Sequence, residues 1–126
     1  MQLVRKIQTK SSPEILLDPE GLIRLKGRSI LENAAEFYEP MLEWVDEYVK
    51  SPAELTCTDI ELEYFNSATA KFLITLIQRL SMVTFSNARL KVNWYYEDGD
   101  DDIFERGEYL ESVLEIDFNF IKVRSC

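Results

Sequence analysis

Between Leu55 and Tyr96 the hydrophobic pattern changes period twice, and that double change restricts what the chain can fold into. Ile60, Leu62 and Tyr64 alternate with Asp59, Glu61 and Glu63, the period of two of a strand in a sheet with one wet face. Phe72, Leu73, Leu76, Ile77, Leu80 and Val83 then form a wide helical stripe, and Arg89 to Tyr96 alternates again. A strand, a well-buried helix and a central strand in that order argue for an α/β layer structure whose sheet is at least partly parallel.

The flanking segments extend the pattern. Ile15–Asp18 and Leu22–Gly27 read as short strands joined by the turn Pro19-Glu20-Gly21. Ser29-Ile30-Leu31-Glu32 matches the S-x-x-E capping box, which predicts a helix to about Lys50 with Phe37, Met41, Leu42, Trp44, Val45 and Tyr48 as its apolar positions. Its aromatics, Phe37, Tyr38, Trp44 and Tyr48, are expected mostly in the core, with one or two free to anchor an interface. Pro40 should kink that helix or shift its start, and Ser51-Pro52 ends it. Leu55–Phe65 is the next strand, followed by a helix capped by Asn66 or Ser67 and running to about Phe85. After the strand Arg89–Tyr96 come the acidic loop Glu97–Asp102, a short helix over Asp102–Ser112 and a closing strand Glu115–Phe120. The expected order is β-β-α-β-α-β-α-β in one domain spanning residues 1–126: a mixed sheet of about five strands with helices mainly on one face.

Charge narrows the function. Fourteen Lys and Arg face 23 Asp and Glu, a net charge of −9, so phosphate backbones and anionic lipid repel the chain and a basic protein partner suits it. Histidine is absent, which removes the commonest general base, the usual zinc ligand and every His-containing triad. Cys57 reads as a small buried hydrophobe and Cys126 as a frayed end, not as a disulfide. The loop Glu97–Asp102 lacks the spacing of a calcium loop and reads as solvated acid, while Glu61 and Glu63 read as a wet sheet face, not a catalytic pair. No cofactor or metal is expected. Residues 1–6 carry no signal-peptide pattern and Phe72–Phe85 is too short to span a bilayer, so no membrane insertion and a cytoplasmic location are expected.

One junction can carry chemistry. A strand ends at Phe65 and the hydroxyl residue Ser67 opens the next helix, where unpaired amides and the positive end of the dipole favour an anion. A phosphate on Ser67 would bring a charge of about −1.5 to −2, with Lys71 one turn along as a partner. From the residues alone, a plain capping role for Ser67 is the commoner outcome.

Three segments resemble the SiaC family of bacterial regulatory phosphoproteins. Ile30 through Trp44 is similar to its first-helix signature, Leu62-Glu63-Tyr64-Phe65-Asn66-Ser67-Ala68-Thr69-Ala70-Lys71 to its phosphoacceptor segment, and Val92-Asn93-Trp94-Tyr95-Tyr96 to the strand before its acidic loop. The similarity runs in order from about Ser12 to Phe120. It implies a STAS-like fold and a partner switch. By that resemblance a Ser/Thr kinase would phosphorylate Ser67, a PP2C-type phosphatase would reverse this, and, as in some members of the family, the unmodified form would bind and activate a diguanylate cyclase. The implied interaction surface is Glu63, Asn66, Ser67, Ala68, Thr69 and Lys71. Ser67 stands where the family usually has Thr, Ala68 interrupts its hydroxyl run, and Thr69 becomes a rival acceptor. Leu31 stands where Pro is frequent. The competing expectations are a constitutive adaptor that needs no phosphorylation and, far behind, a small enzyme built on carboxylates.

Overall fold

The computed structural model describes residues 1–124, which form β1 (Val4–Lys6), β2 (Glu14–Asp18), β3 (Leu22–Ser29), α1 (Ala34–Tyr48), β4 (Leu55–Phe65), α2 (Ser67–Leu80), a 3₁₀ segment (Ser81–Ser86), β5 (Arg89–Glu97), α3 (Asp101–Leu114) and β6 (Phe118–Val123). The strands line up in chain order in one six-stranded sheet. β1, β2 and β3 pair antiparallel, and β3 through β6 pair parallel. Each parallel crossover steps one strand in the same direction. Right-handed connections of that kind must place all three helices on the same face.

The core lies between that face and the helices. Ile15, Leu17, Ile23, Leu25, Ile60, Leu62, Val92 and Trp94 meet Tyr38, Met41, Val45, Leu73, Leu76 and Ile77 in one buried cluster. Trp94 donates its indole N–H to the Ile103 carbonyl at 3.0 Å, and Gly107 makes room for the ring: a Cβ there would lie 2.5 Å from Trp94 Nε1. The opposite face carries a polar row in register, Arg24, Asp59, Asn93 and Asn119. Asn93 donates to Asp59 at 2.8 Å and accepts from Asn119 at 3.2 Å.

Several boundaries differ from the sequence expectation, each for a physical reason. The sheet has six strands because Val4–Lys6 adds a short antiparallel edge, too brief to leave a period in the sequence. Ser29 caps no helix. It ends β3 paired with Phe65, and α1 starts at Ala34, capped by Asn33, whose side chain accepts from the Glu36 amide. Pro40 stays inside α1 on an exposed position, where its missing N–H leaves the Glu36 carbonyl without an intrahelical donor. The β3–β4 register slips between Gly27 and Arg28 of β3, leaving Glu63 of β4 unopposed. The bulge turns Tyr64 outward, 45% exposed, and Phe65 inward. Cys57 is half-buried on the face away from the helices, not a core residue, and Cys126 lies outside the described residues. α2 tightens into 3₁₀ geometry after Leu80, and β6 begins three residues late because Glu115 ends α3 in the left-handed region.

The acidic loop is partly structural. Asp100 caps α3 by accepting from the Ile103 amide at 3.1 Å, and Asp101 and Asp102 sit in its first turn, where the helix dipole favours negative charge. Among the described residues no helix is long and apolar enough to cross a membrane.

Candidate functional site: the start of the second helix

The parallel β4–α2 connection is only one residue long, Asn66, and it sets the geometry of the site. Asn66 is extended, and its side-chain oxygen accepts from the Thr69 amide at 3.0 Å and from the Thr69 hydroxyl at 2.8 Å. Its amide donates to the Leu31 carbonyl at 2.9 Å, tying the helix start to the loop before α1. Asn66 is therefore the cap. Ser67, read from the sequence as an alternative cap, is instead the first helical residue, and its exposed hydroxyl has no capping duty. The amides of Ser67 and Ala68, in the first turn, have no intrahelical acceptor.

Thr69 has the opposite setting. It is completely buried, and its hydroxyl meets Asn66 Oδ1, the Ser29 carbonyl at 3.3 Å and Ser29 Oγ at 2.7 Å. Ser29 Oγ in turn lies 2.6 Å from the Tyr38 hydroxyl. Each hydroxyl has one proton to give. With Thr69 giving its proton to Asn66, Ser29 donates to Thr69 and Tyr38 donates to Ser29. Burial pushes the Tyr38 phenol up to about 12, only partly offset by the Ser29 hydrogen bond. Tyr38 also stacks on Phe72, with ring centroids 3.7 Å apart. As a rival acceptor Thr69 is thus corrected: its hydroxyl is inside the fold and engaged.

Ser67 stands on a ridge between two grooves. One, of about 890 Å³, runs between α1 and α2, with Tyr38, Leu42 and Phe72 among its apolar lining and Glu36, Glu39, Glu43 and Asp46 along the α1 wall. The other, of about 460 Å³, runs between α2 and α3, lined by Phe65, Ile74, Arg106 and Tyr109 among others. Ser67 and Lys71 border both. Ala68 lines the first and is half-buried. Of the expected surface, Ser67, Lys71, Ala68 and Asn66 come together. Thr69 is beneath it. Glu63 is exposed but lines a separate hollow with Gln8, Gly27 and Arg28. Glu61 and Glu63 border a common hollow with Lys26 and Tyr95, and the bulge leaves Glu63 unpaired there.

Arg106 is the site residue that sequence reasoning missed. Its guanidinium lies 3.8 Å from the Phe65 ring centroid and Nη1 donates to the Phe65 carbonyl at 2.7 Å. No local signal marks it, because the contact spans 41 residues. Ser29 and Tyr38 were likewise legible only as a cap and a core aromatic.

A one-sided sheet with sequential strands and an exposed hydroxyl opening the middle helix defines a STAS-like α/β domain. The sequence profile of the SiaC family, described as "SiaC family regulatory phosphoprotein", matches residues 7–123, and the chain belongs to that family. Solved structures agree on the fold. SiaC of Pseudomonas aeruginosa superposes with a TM-score of 0.83 at 21% identity, covering 99% of this chain and 100% of that one. Apo-SiaC from the same organism gives 0.84 at 20% identity, over 96% and 99%. A complex of the diguanylate cyclase SiaD with its activator SiaC, also from Pseudomonas aeruginosa, gives 0.86 at 20% identity, over 95% and 99%. No curated protein sequence matches the chain.

Proposed function

We propose that this protein is a cytoplasmic partner switch that acts by being bound, not by catalysing a reaction, and that Ser67 is the residue through which it is switched. A Ser/Thr kinase transfers the γ-phosphoryl group of ATP to Ser67 Oγ, its own base taking the hydroxyl proton and ADP leaving. A PP2C-type phosphatase returns the hydroxyl by hydrolysis. The unmodified form binds and activates a diguanylate cyclase, by analogy with the SiaC relative that activates SiaD.

The observation that carries this reading is the division of labour at the helix start. Asn66 does the capping, which leaves the Ser67 hydroxyl exposed at the first helical position, between two grooves able to seat a partner. A phosphate there adds a charge of about −1.5 to −2 at the border of the two grooves, at the Ser67 end of the acidic α1 wall.

The test is intact-mass spectrometry after incubation with ATP and a Ser/Thr protein kinase from the same host. Wild type is expected to gain one phosphate and Ser67→Ala none. Ser67→Ala is expected to bind the cyclase like the unmodified protein and Ser67→Asp at least tenfold more weakly. Equal binding by both variants would leave a constitutive adaptor in place of a switch.

A further inference from the structure

The two grooves beside Ser67 differ in charge. Along the α1–α2 groove four carboxylates, Glu36, Glu39, Glu43 and Asp46, oppose two cations, Lys71 and Arg79, and Arg79 is already paired with Asp46 at 3.0 Å. Along the α2–α3 groove Asp102 and Glu105 oppose Lys71 and Arg106, two against two. A dianion at position 67 is repelled from the first groove and tolerated by the second.

Arg106 is also uncommitted. The ion pairs among the described residues use Arg24, Lys50, Arg79 and Lys122; neither Arg106 nor Lys71 takes part, although acids outnumber bases 23 to 14. Arg106 is half-buried and, although Asp102 and Glu105 line the same groove, forms an ion pair with neither. Its contact with the Phe65 carbonyl uses one of five N–H donors and fixes the group two residues before Ser67 in sequence. The planar fork that remains suits a phosphate's oxygens bidentately.

We propose that Arg106 is the internal receptor for phosphate on Ser67: with Lys71 it pairs the phosphate across the α2–α3 groove, closing that groove. This rests on Ser67 being the phosphoacceptor. The switch then has a direction. Phosphorylation masks the α2–α3 surface, including Tyr109, which is 68% exposed, and leaves the floor of the α1–α2 groove uncovered.

The experiment uses full-length protein with phosphoserine inserted at position 67 during translation, so that no kinase is involved. Failure here speaks to Arg106 alone, whereas failure of kinase labelling speaks to the acceptor assignment. Phosphorus NMR follows the second ionisation of the phosphoserine, ordinarily near pH ~6. In the folded protein it is expected about 0.5–1 unit lower than in the same protein unfolded in urea, because the flanking cations favour the dianion. Arg106→Gln is expected to abolish most of that drop, and Lys71→Gln, on an exposed side chain, a smaller part. Asp102, Glu105 and Tyr109 on α3, and Glu36, Glu39, Glu43 and Asp46 on the α1 side of Ser67, are present in every variant and cancel in the comparison. A second readout needs no variant: the Arg106 Nε–H signal should move between the serine and phosphoserine forms. Equal ionisation in wild type and Arg106→Gln, or an unmoved Arg106 signal should that variant not fold, would overturn the proposal.

Discussion

Ser67 and Thr69 lie in the same turn of one helix, yet the fold treats their hydroxyls in opposite ways. Helical geometry turns successive residues by about a hundred degrees, so two positions apart is close to opposite sides. Thr69 faces inward and its hydroxyl is the junction of β3, α1 and the Asn66 cap. Ser67 faces out, and with Asn66 as cap nothing in the helix start requires it. The comparison teaches that a hydroxyl-rich helix start divides into a structural hydroxyl that must be present and a surface hydroxyl that is available. The stability of the fold and the proposed function of the switch are thereby separable by mutation.

The largest expected effect lies on the buried side, at Tyr38. Its folded-state pKa is raised from 10.0 to about 12, so the native state holds the phenol proton more tightly than the unfolded chain does. The stability this contributes is complete below pH ~10 and is lost as pH rises through about 12, because the unfolded state there binds fewer protons. On the order of 2–3 kcal/mol should disappear across that window. Urea melts of wild type and Tyr38→Phe at stepped alkaline pH check this. The variant should lose that much less, and parallel curves would mean that the hydroxyl chain is not held as described.

Next is Thr69→Val, nearly isosteric, which leaves the Ser29 hydroxyl proton without its acceptor in a site with no water access. A buried polar group so stranded costs roughly 1–3 kcal/mol, and a loss of about 2 is expected in chemical denaturation. The same protein should still take one phosphate from the kinase. A variant as stable as wild type, or one that is no longer phosphorylated, would break the contrast between the two hydroxyls.

How far this arrangement could be read from the sequence depends on the range of the interactions. The strand Leu55–Phe65 was legible to the residue because its alternation is local, and α2 was legible because five apolar positions, Phe72, Leu73, Leu76, Ile77 and Leu80, share one stripe. The start of α1 was not. Ser29-x-x-Glu32 and Asn33-x-x-Glu36 both carry a capping pattern, and only the pairing of Ser29 with Phe65 in the sheet decides for the second. Tyr64 followed the alternation into the expected core, but a bulge opposite Gly27 and Arg28 reversed it, and a register slip leaves no local mark. The position of Ser67 at the helix start was plain. Its independence from the cap was not, since Asn66 and Ser67 are both good capping residues. Arg106 could not have been placed at all. Its role comes from packing α3 beside the end of β4, and nothing around it in sequence differs from any charged position on an amphipathic helix.

The smallest expected effect is the sharpest test of the contrast. Ser67→Ala removes a hydroxyl that points to solvent, at the first position of a helix already capped by its neighbour. Alanine has the higher helix propensity, and no buried group loses a partner, so stability should stay within about 0.5 kcal/mol of wild type. The prediction is of a silence, and it is informative because Thr69, two residues on, is expected to be costly. A loss above about 1 kcal/mol, the size of a missing cap, would mean that Ser67 shares the capping with Asn66. The hydroxyl would then have two duties, and phosphorylation would act by loosening the helix start and not by adding charge to an intact one. A silent substitution that also abolishes labelling by the kinase would place the switch entirely on the surface, with the buried hydroxyl chain as the rigid base that holds it there.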